Sequence, residues 1–271
     1  MTNNIMLTSN FFENDISKLV FTDSEKNEEM SAEKYNYLAK YYKSKKLLKK
    51  VIECYEKALD LRVLSLGTIH RKTSNSYNDL ATAYYQDGLF SRAISLYKKA
   101  LEIRKNIFGE GHAETATVYA NLADVYFSEQ DLEKASLFYR KALNIRIEIL
   151  GEYHIQTAES YYDLAYFYAS NGSFEVAETL FASALRIRKK LLSKNSLDLA
   201  SSYMHLGMCH YQLFNYQKSY DYLLEAVKIK EIVLRDTDEN LLIAKQNLKE
   251  VEKHLSKGNE GIFSRLKKLF L

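Results

Sequence analysis

The stretch YANLADVYFSEQDLEKASLFYRKALNIRIEILG, Tyr119–Gly151, decides the fold. It holds two amphipathic patterns separated by a short polar break at Glu129–Asp131. The same design stands 42 positions earlier, at Tyr77–Gly109, as YNDLATAYYQDGLFSRAISLYKKALEIRKNIFG. It stands again 42 positions later, at Tyr161–Ser193, as YYDLAYFYASNGSFEVAETLFASALRIRKKLLS. Self-similarity at one fixed period means a stack, because a single unit cannot bury its own apolar face and its neighbours must cover it.

The aligned copies define columns. Leu38, Leu80, Leu122, Leu164 and Leu206 form one, and Ala39, Ala81, Ala123, Ala165 and Gly207 stand beside it. Tyr35, Tyr77, Tyr119, Tyr161 and Tyr203 precede the leucines by three; Tyr42, Tyr84, Tyr126, Tyr168 and His210 follow them by four. The second half of each copy repeats Val51/Ala93/Ala135/Ala177/Ser219 and Ala58/Ala100/Ala142/Ala184/Ala226. Between these lies Tyr55/Tyr97/Tyr139/Phe181, whose fifth member falls irregularly beside Tyr222. Spacings of three and four make each half a helix with one apolar face. Small residues recur where helices approach closely, and aromatics recur where a gap must be filled. These columns are core. A bulky side chain at Ala100 or Ala142 would overpack the contact by roughly 1–3 kcal/mol.

The aromatic-x-x-Leu-small-x-x-Tyr order of the first helix and the Ala-x-x-x-aromatic-x-x-Ala order of the second resemble the tetratricopeptide repeat. The usual period is ~34 residues. The longer period here comes with a loop reading LGTIHRKT (Leu66–Thr73), FGEGHAET (Phe108–Thr115) and LGEYHIQT (Leu150–Thr157). That form is similar to the repeats of kinesin light chains and nephrocystin-3-like bacterial proteins. The resemblance implies an all-α, right-handed superhelical solenoid of about five helix pairs, closed by a C-terminal capping helix.

The 271 residues suffice for one elongated repeat domain. A formal charge of +3, from 38 basic and 35 acidic residues, gives no field of the kind nucleic acid requires. The absence of proline and the nine glycines suit a nearly all-helical chain, and 22 tyrosines with no tryptophan suit a stack that uses Tyr as filler. Cys54 and Cys209 fall in predicted helices far apart in repeat order, so no disulfide is expected and a reducing cytoplasm is the simplest setting. The N-terminus lacks the basic start and apolar run of a signal peptide, and no apolar run approaches the ~18 residues of a spanning helix.

Residues 1–30 read as a flexible segment with a short apolar stretch, Phe11 to Phe21, set among acids. The stretch can be a helix capping the first repeat, a mobile ligand for a groove, or disordered. Residues 31–257 form the solenoid. Its first copy is degenerate, with KSKK in place of the inter-helix turn. Gly67, Gly109 and Gly151 each follow an apolar helix end, where a left-handed cap needs glycine. The copy starting near Ser196 has SKNS there, so its leading loop must differ. Asp236–Lys257 supplies the capping helix, with Leu241, Ala244, Leu248, Val251 and Leu255 inward and a polar outer face. Residues 258–271 form a basic amphipathic tail with Ile262, Phe263, Leu266, Leu269 and Phe270 on one face. It can dock on the last repeat or be disordered, enter a partner's groove, or make peripheral contact with an anionic membrane.

The resemblance places the first helix of each pair on a concave face. There the residues without packing duty include Asn78, Asp79, Thr82, Tyr85, Asn121, Asp124, Phe127, Tyr162, Asp163, Tyr166, His205, Met208 and Asn247. An asparagine amide offers donor and acceptor and can clamp the backbone of an extended peptide. Aromatic and methionine side chains make adaptable apolar pockets. In kinesin light chains an Asn just before the Leu-Ala pair grips the cargo backbone. Here that column reads Tyr37, Asp79, Asn121, Asp163, His205 and Asn247, so only Asn121 and Asn247 keep the amide. Acids at Asp79, Asp124, Glu159 and Asp163 favour a ligand with basic residues beside apolar anchors.

His70, His112 and His154 recur with the fold, each in the same loop of a different layer, which argues for a structural loop role rather than one metal. No phosphate loop, Cys-x-x-Cys pair or nucleophile with a base stands out, so neither enzyme activity nor a cofactor is expected. The expected function is a cytoplasmic, non-catalytic adaptor that binds a peptide segment of a partner protein in the groove. The alternative is a membrane-proximal scaffold or assembly factor attached through the tail.

Overall fold

The computed structural model describes residues 28–269, with side chains through Ser256. Phe11–Phe21 and Phe270 lie outside the described residues, and the side chains of Ile262, Phe263, Leu266 and Leu269 lie outside those described. The described chain is all-α. Its eleven helices are α1 (Glu28–Ser44), α2 (Leu48–Leu66), α3 (Arg71–Gln86), α4 (Phe90–Phe108), α5 (Ala113–Ser128) and α6 (Leu132–Leu150), followed by α7 (Ile155–Ser170), α8 (Phe174–Leu191), α9 (Leu197–Gln212), α10 (Tyr216–Val233) and α11 (Glu239–Leu269). Packing divides the chain within α6 into two units that meet in sequence at Phe138/Tyr139. In the first unit α1 packs on α2, α2 on α3, α3 on α4 and α4 on α5; in the second α7, α8, α9, α10 and α11 follow the same rule. Contact between chain neighbours is the signature of stacked repeats.

The small columns are where the helices close up. Ala39, Ala81, Ala123, Ala165, Ala58, Ala100, Ala184 and Ala226 are fully buried. The irregular member of the aromatic column is Leu223, also fully buried. Leu223 fits because Gly207 stands where the other copies have alanine: a Cβ at Gly207 would meet Leu223 Cγ at 2.8 Å.

Every inter-helix turn is built alike. Lys46, Gly88, Gln130, Gly172 and Phe214 occupy one column with φ between 58° and 77°. The next residue's N–H returns to the carbonyl of Tyr42, Tyr84, Tyr126, Tyr168 or His210, the wide bond of a Schellman ending. KSKK therefore keeps the common turn rather than replacing it, with Lys46 taking the strained position that glycine takes in two other copies.

The Gly-x-x-His-x-x-Thr loop also resolves into parts. Gly67 and Gly109 have φ of 82° and 88° but ψ of 173° and 167°. This is the extended positive-φ region open essentially to glycine alone, not the left-handed helical cap expected from the sequence. Thr73, Thr115 and Thr157 each donate Oγ1–H to the carbonyl of that glycine, at 2.8–2.9 Å. His70, His112 and His154 accept at Nδ1 from the backbone N–H two residues on, at 3.1–3.2 Å. The histidines are helix N-caps. In the two later copies Ser196 and Asp238 cap in their place, at 3.2 and 2.8 Å. There the second helix ends one residue earlier, at Leu192 with φ −101° and at Leu234 with φ −106°, and neither ending needs glycine.

α11 runs unbroken through Leu269, so the expected cap and the expected tail share one helix. Leu241, Ala244 and Val251 are buried against the stack. The outer face is not wholly polar as expected: Leu242 and Ile243 are 52 % and 43 % exposed. Leu242 continues the column of Ala32, Ala116, Ala158 and Ala200, which are fully buried. No second helix follows α11 among the described residues to cover it.

Candidate functional site

The first helices carry the candidate residues, and each unit holds its own set. In the first unit the side chains of α3 and α5 are cross-linked. Asn121 Nδ2 donates to Asn78 Oδ1 at 2.8 Å. Tyr85 Oη and Ser128 Oγ share a hydrogen at 3.1 Å. The Thr82 hydroxyl donates to Asn78 O at 2.9 Å and lies 2.8 Å from Tyr97 Oη. Asp79, Thr82, Lys43, Tyr55 and Gln86 line a pocket of about 70 Å³. Burial pushes the Asp79 carboxyl above its usual range, although the neighbouring Asn78 amide, Arg62, Arg104 and Lys40 oppose it. Burial beside Asp79 pushes the Tyr55 phenol up to about 12. Asp124 and Phe127 are half-buried on α5.

The second unit builds the same face from rings. Tyr162 Oη and His205 Nδ1 lie 3.0 Å apart, and His205 Nδ1 also lies 2.9 Å from Ser201 O. Tyr162, Tyr166 and Phe181 surround the imidazole at centroid distances of 5.4, 5.8 and 5.5 Å. Arg188 covers the Tyr162 ring at 4.5 Å. Burial pushes Tyr162 up to about 12 and His205 below its ordinary value. Tyr211 Oη meets His254 Nε2 at 3.1 Å, and His254 stacks on Tyr216 at 4.8 Å. Tyr166 is 48 % exposed. Asp163, Met208 and Asn247 are half-buried.

Four of these links join residues 43 apart: Asn78/Asn121, Tyr85/Ser128, Tyr162/His205 and Tyr211/His254. Neighbouring first helices thus meet one residue out of step with the repeat. Pairing residues at the repeat length plus one would have found Ser128 and His254, which the column reading passed over.

A second missed feature is a buried basic column, Arg62, Arg104, Arg146, Arg188 and Lys230, itself spaced by 42. Each reaches the first turn of the next first helix and donates to a backbone carbonyl: Lys72, Glu114, Gln156, Asp198 or Asn240. Arg62, Arg146 and Arg188 also donate to Ser76, Ser160 and Ser202 at 2.7–2.8 Å. Val118 stands where that serine would serve Arg104, which turns to Ser74 and Asn75 instead, both at 2.9 Å. Burial pushes Arg104, Arg146 and Lys230 below their ordinary pKa values. Asp79 and Asp163 lie in the field of these cations, so part of their charge is already answered from within.

Among the described residues no group of three or more His, Cys, Asp and Glu could hold a metal ion, and no helix is long and apolar enough to cross a membrane. The tail residues Ile262, Phe263, Leu266 and Leu269 lie on the backbone of α11, beyond its described side chains.

Solved structures share this fold. BtubC (BKLC) from P. vanneervenii is 23 % identical, with 83 % of this chain and 90 % of that one covered at a TM-score of 0.67. A Podosopora anserina protein of nearly identical TPR-like repeats, described as kinesin light chain-like, is 20 % identical over 74 % of this chain and 96 % of that one, at 0.62. No curated protein matches. The sequence profile of the tetratricopeptide repeat matches residues 30–106, 88–148, 114–190 and 156–232. With repeat columns, helix pairs and profile in agreement, the chain belongs to the tetratricopeptide repeat family.

Proposed function

We propose that this chain is a non-catalytic interaction module that holds a peptide segment of a partner protein along its first-helix face. Tetratricopeptide repeats mediate protein–protein interaction, and the fold typically serves as a scaffold rather than a catalyst. The observation that carries the finer reading is the amide–amide hydrogen bond between Asn121 and Asn78. It fixes the Asn121 amide while leaving its carbonyl oxygen and second N–H for a ligand backbone. In the second unit the exposed Tyr166 beside His205 offers a ring to an apolar side chain.

The test is capture of partners from native lysate by the intact chain and by an Asn121→Ala/Tyr166→Ala variant. The variant should recover about tenfold less of a specific partner, since a few contacts carry most binding energy, with its helicity by circular dichroism unchanged. Equal recovery would move the binding site off the first-helix face.

A further inference from the structure

A cleft of about 460 Å³ opens between the second helices α8 and α10. Its floor is Leu185, Leu206 and Tyr222; its rim is Ala182, Arg186, Lys189 and Lys190. Leu185 and Leu206 are buried, whereas the three cations are exposed. Arg186 pairs with Glu152 and donates to Tyr153 Oη. Lys190 Nζ sits 4.5 Å above the Tyr153 ring, and Lys189 Nζ sits 5.8 Å from the Tyr203 centroid. These ammonium groups are positioned by aromatic faces. Among the described residues no carboxylate lies within ion-pair distance of Lys189 or Lys190.

The repeat itself shows what is unusual here. In the three preceding copies the column of Ala182 holds Glu56, Lys98 and Arg140. The column of Arg186 holds Asp60, Glu102 and Asn144, and that of Lys190 holds Leu64, Asn106 and Glu148. Each earlier copy therefore places a carboxylate among these positions and a long side chain where Ala182 stands. The fourth copy has no carboxylate in the set, as the fifth has none at Leu224, Lys228 and Ile232, and it alone shortens the long side chain, while Leu206 keeps the floor leucine of Leu80, Leu122 and Leu164. Packing does not require either change, since the fold is built without them three times in the same chain.

We propose that this cleft is a second interaction surface, which binds an acidic peptide segment carrying an aromatic or aliphatic anchor. The anchor enters past Ala182 onto Leu185, Leu206 and Tyr222, and flanking carboxylates meet Arg186, Lys189 and Lys190. The volume falls at the small end of the ~300–1,000 Å³ of ligand pockets, room for a side chain or two rather than a cofactor. A bare anion would leave the apolar floor unfilled. A bilayer surface cannot follow a recess whose apolar part lies beneath its charges. The rim lies on a second helix, and Leu206, the one first-helix residue of the cleft, is a buried core residue rather than a candidate of the first-helix face, so the cleft stands independently of the first-helix reading.

The experiment is fluorescence anisotropy of the full chain with a short labelled peptide of Asp and Glu around one Phe and one Leu. The key variant is Arg186→Asn/Lys189→Ile/Lys190→Glu. It gives the cleft the rim of the preceding copy, Asn144, Ile147 and Glu148, which this fold already accommodates. The wild type should bind, the variant should bind about tenfold more weakly, and affinity should fall as salt rises. Circular dichroism should be unchanged. Replacing the Phe and Leu of the peptide by Ser should weaken binding by a similar factor. Equal binding of that peptide would reduce the effect to counter-ion attraction and overturn the proposal. Loss in the Asn121→Ala/Tyr166→Ala chain with retention in the rim variant would also overturn it, placing the peptide on the first helices. Silence at about 1 mM peptide, or rim-dependent sedimentation with phosphatidylserine vesicles in place of peptide binding, would overturn it too.

Discussion

The two units carry one backbone plan and two chemistries. In the first, the face of α3 and α5 is a set of amides and hydroxyls, Asn78–Asn121 with Thr82 and Tyr85–Ser128. In the second, the same register on α7, α9 and α11 is a run of rings, Tyr162–His205 and Tyr211–His254, with Tyr166 and Phe181 against His205. The difference teaches where the repeat constrains and where it does not. Columns that face a neighbouring helix keep their residue type because volume is fixed there. Columns on the open face need only a partner 43 residues away, and an amide pair or a Tyr–His pair satisfies that equally well.

The largest effect should come from the buried cations under each face. Arg104 holds Asn75 and a carbonyl under the amide face, and Arg188 holds Ser202, a carbonyl and the Tyr162 ring under the aromatic one. Arg104→Met or Arg188→Met strands buried acceptors, at a cost of about 3 kcal/mol each in urea unfolding. Arg188→Lys should cost less, because Lys230 already reaches the corresponding carbonyl in its own copy. Arg104→Lys should recover little, since an ammonium cannot serve Ser74, Asn75 and Glu114 O together. Equal penalties for the two lysine variants would mean that the columns differ in name only.

Next comes the small column. Alanine fills it in the first unit, at Ala39, Ala81 and Ala123, where the facing column supplies Tyr55 and Tyr97. In the second unit Ala165 keeps the alanine, but Gly207 faces Leu223. Gly207→Ala should gain helix propensity of about 1 kcal/mol yet destabilise on balance. The new methyl lies 2.8 Å from Leu223 Cγ and 3.2 Å from Ser219 O, and overpacking costs roughly 1–3 kcal/mol. A variant more stable than wild type in thermal unfolding would show that Leu223 can give way.

The sequence disclosed the columns because a period of 42 repeats the same packing problem several times. It disclosed less of the sites, for identifiable reasons. The capping role of His70, His112 and His154 was legible as a structural loop role but not as geometry, because only the backbone shows which N–H each imidazole meets. The buried arginines were in plain view at that period. They do not stand out as core because a charged residue in a helix reads as surface, and only a carbonyl supplied by the next helix makes burial tolerable. The cleft beside Ala182 was invisible by column, since it is defined by what a column has lost.

The smallest effect separates the units by sign. Burial pushes His205 and His210 down, both in the second unit. His205 is also pressed by Lys230 and Arg188 against the opposing Ser201 bond; His210 is pressed by Lys218 against the opposing Glu178 carboxylate 3.5 Å away. Below the ordinary value of 6.5 the unfolded chain therefore binds more protons than the folded one. Their contribution is whole above that pH and shrinks as pH falls. Asp79 in the first unit behaves oppositely. Its carboxyl is pushed up from 3.8, so the folded state binds the extra proton and the first unit gains as pH falls through the raised value toward 3.8. Hydrogen exchange at about pH 7.5 and about pH 5.5, corrected for the intrinsic pH dependence of exchange, should show α9 losing protection relative to α3. His210→Tyr restores the residue of Tyr42, Tyr84, Tyr126 and Tyr168 and should remove part of the loss in α9 without touching α3. Carried on from about pH 5.5 toward 3.8, the same comparison in Asp79→Asn should lose the opposing trend in α3 alone. If both helices lose protection together in the wild type, the two faces share one acid response and the contrast between them is chemical but not electrostatic.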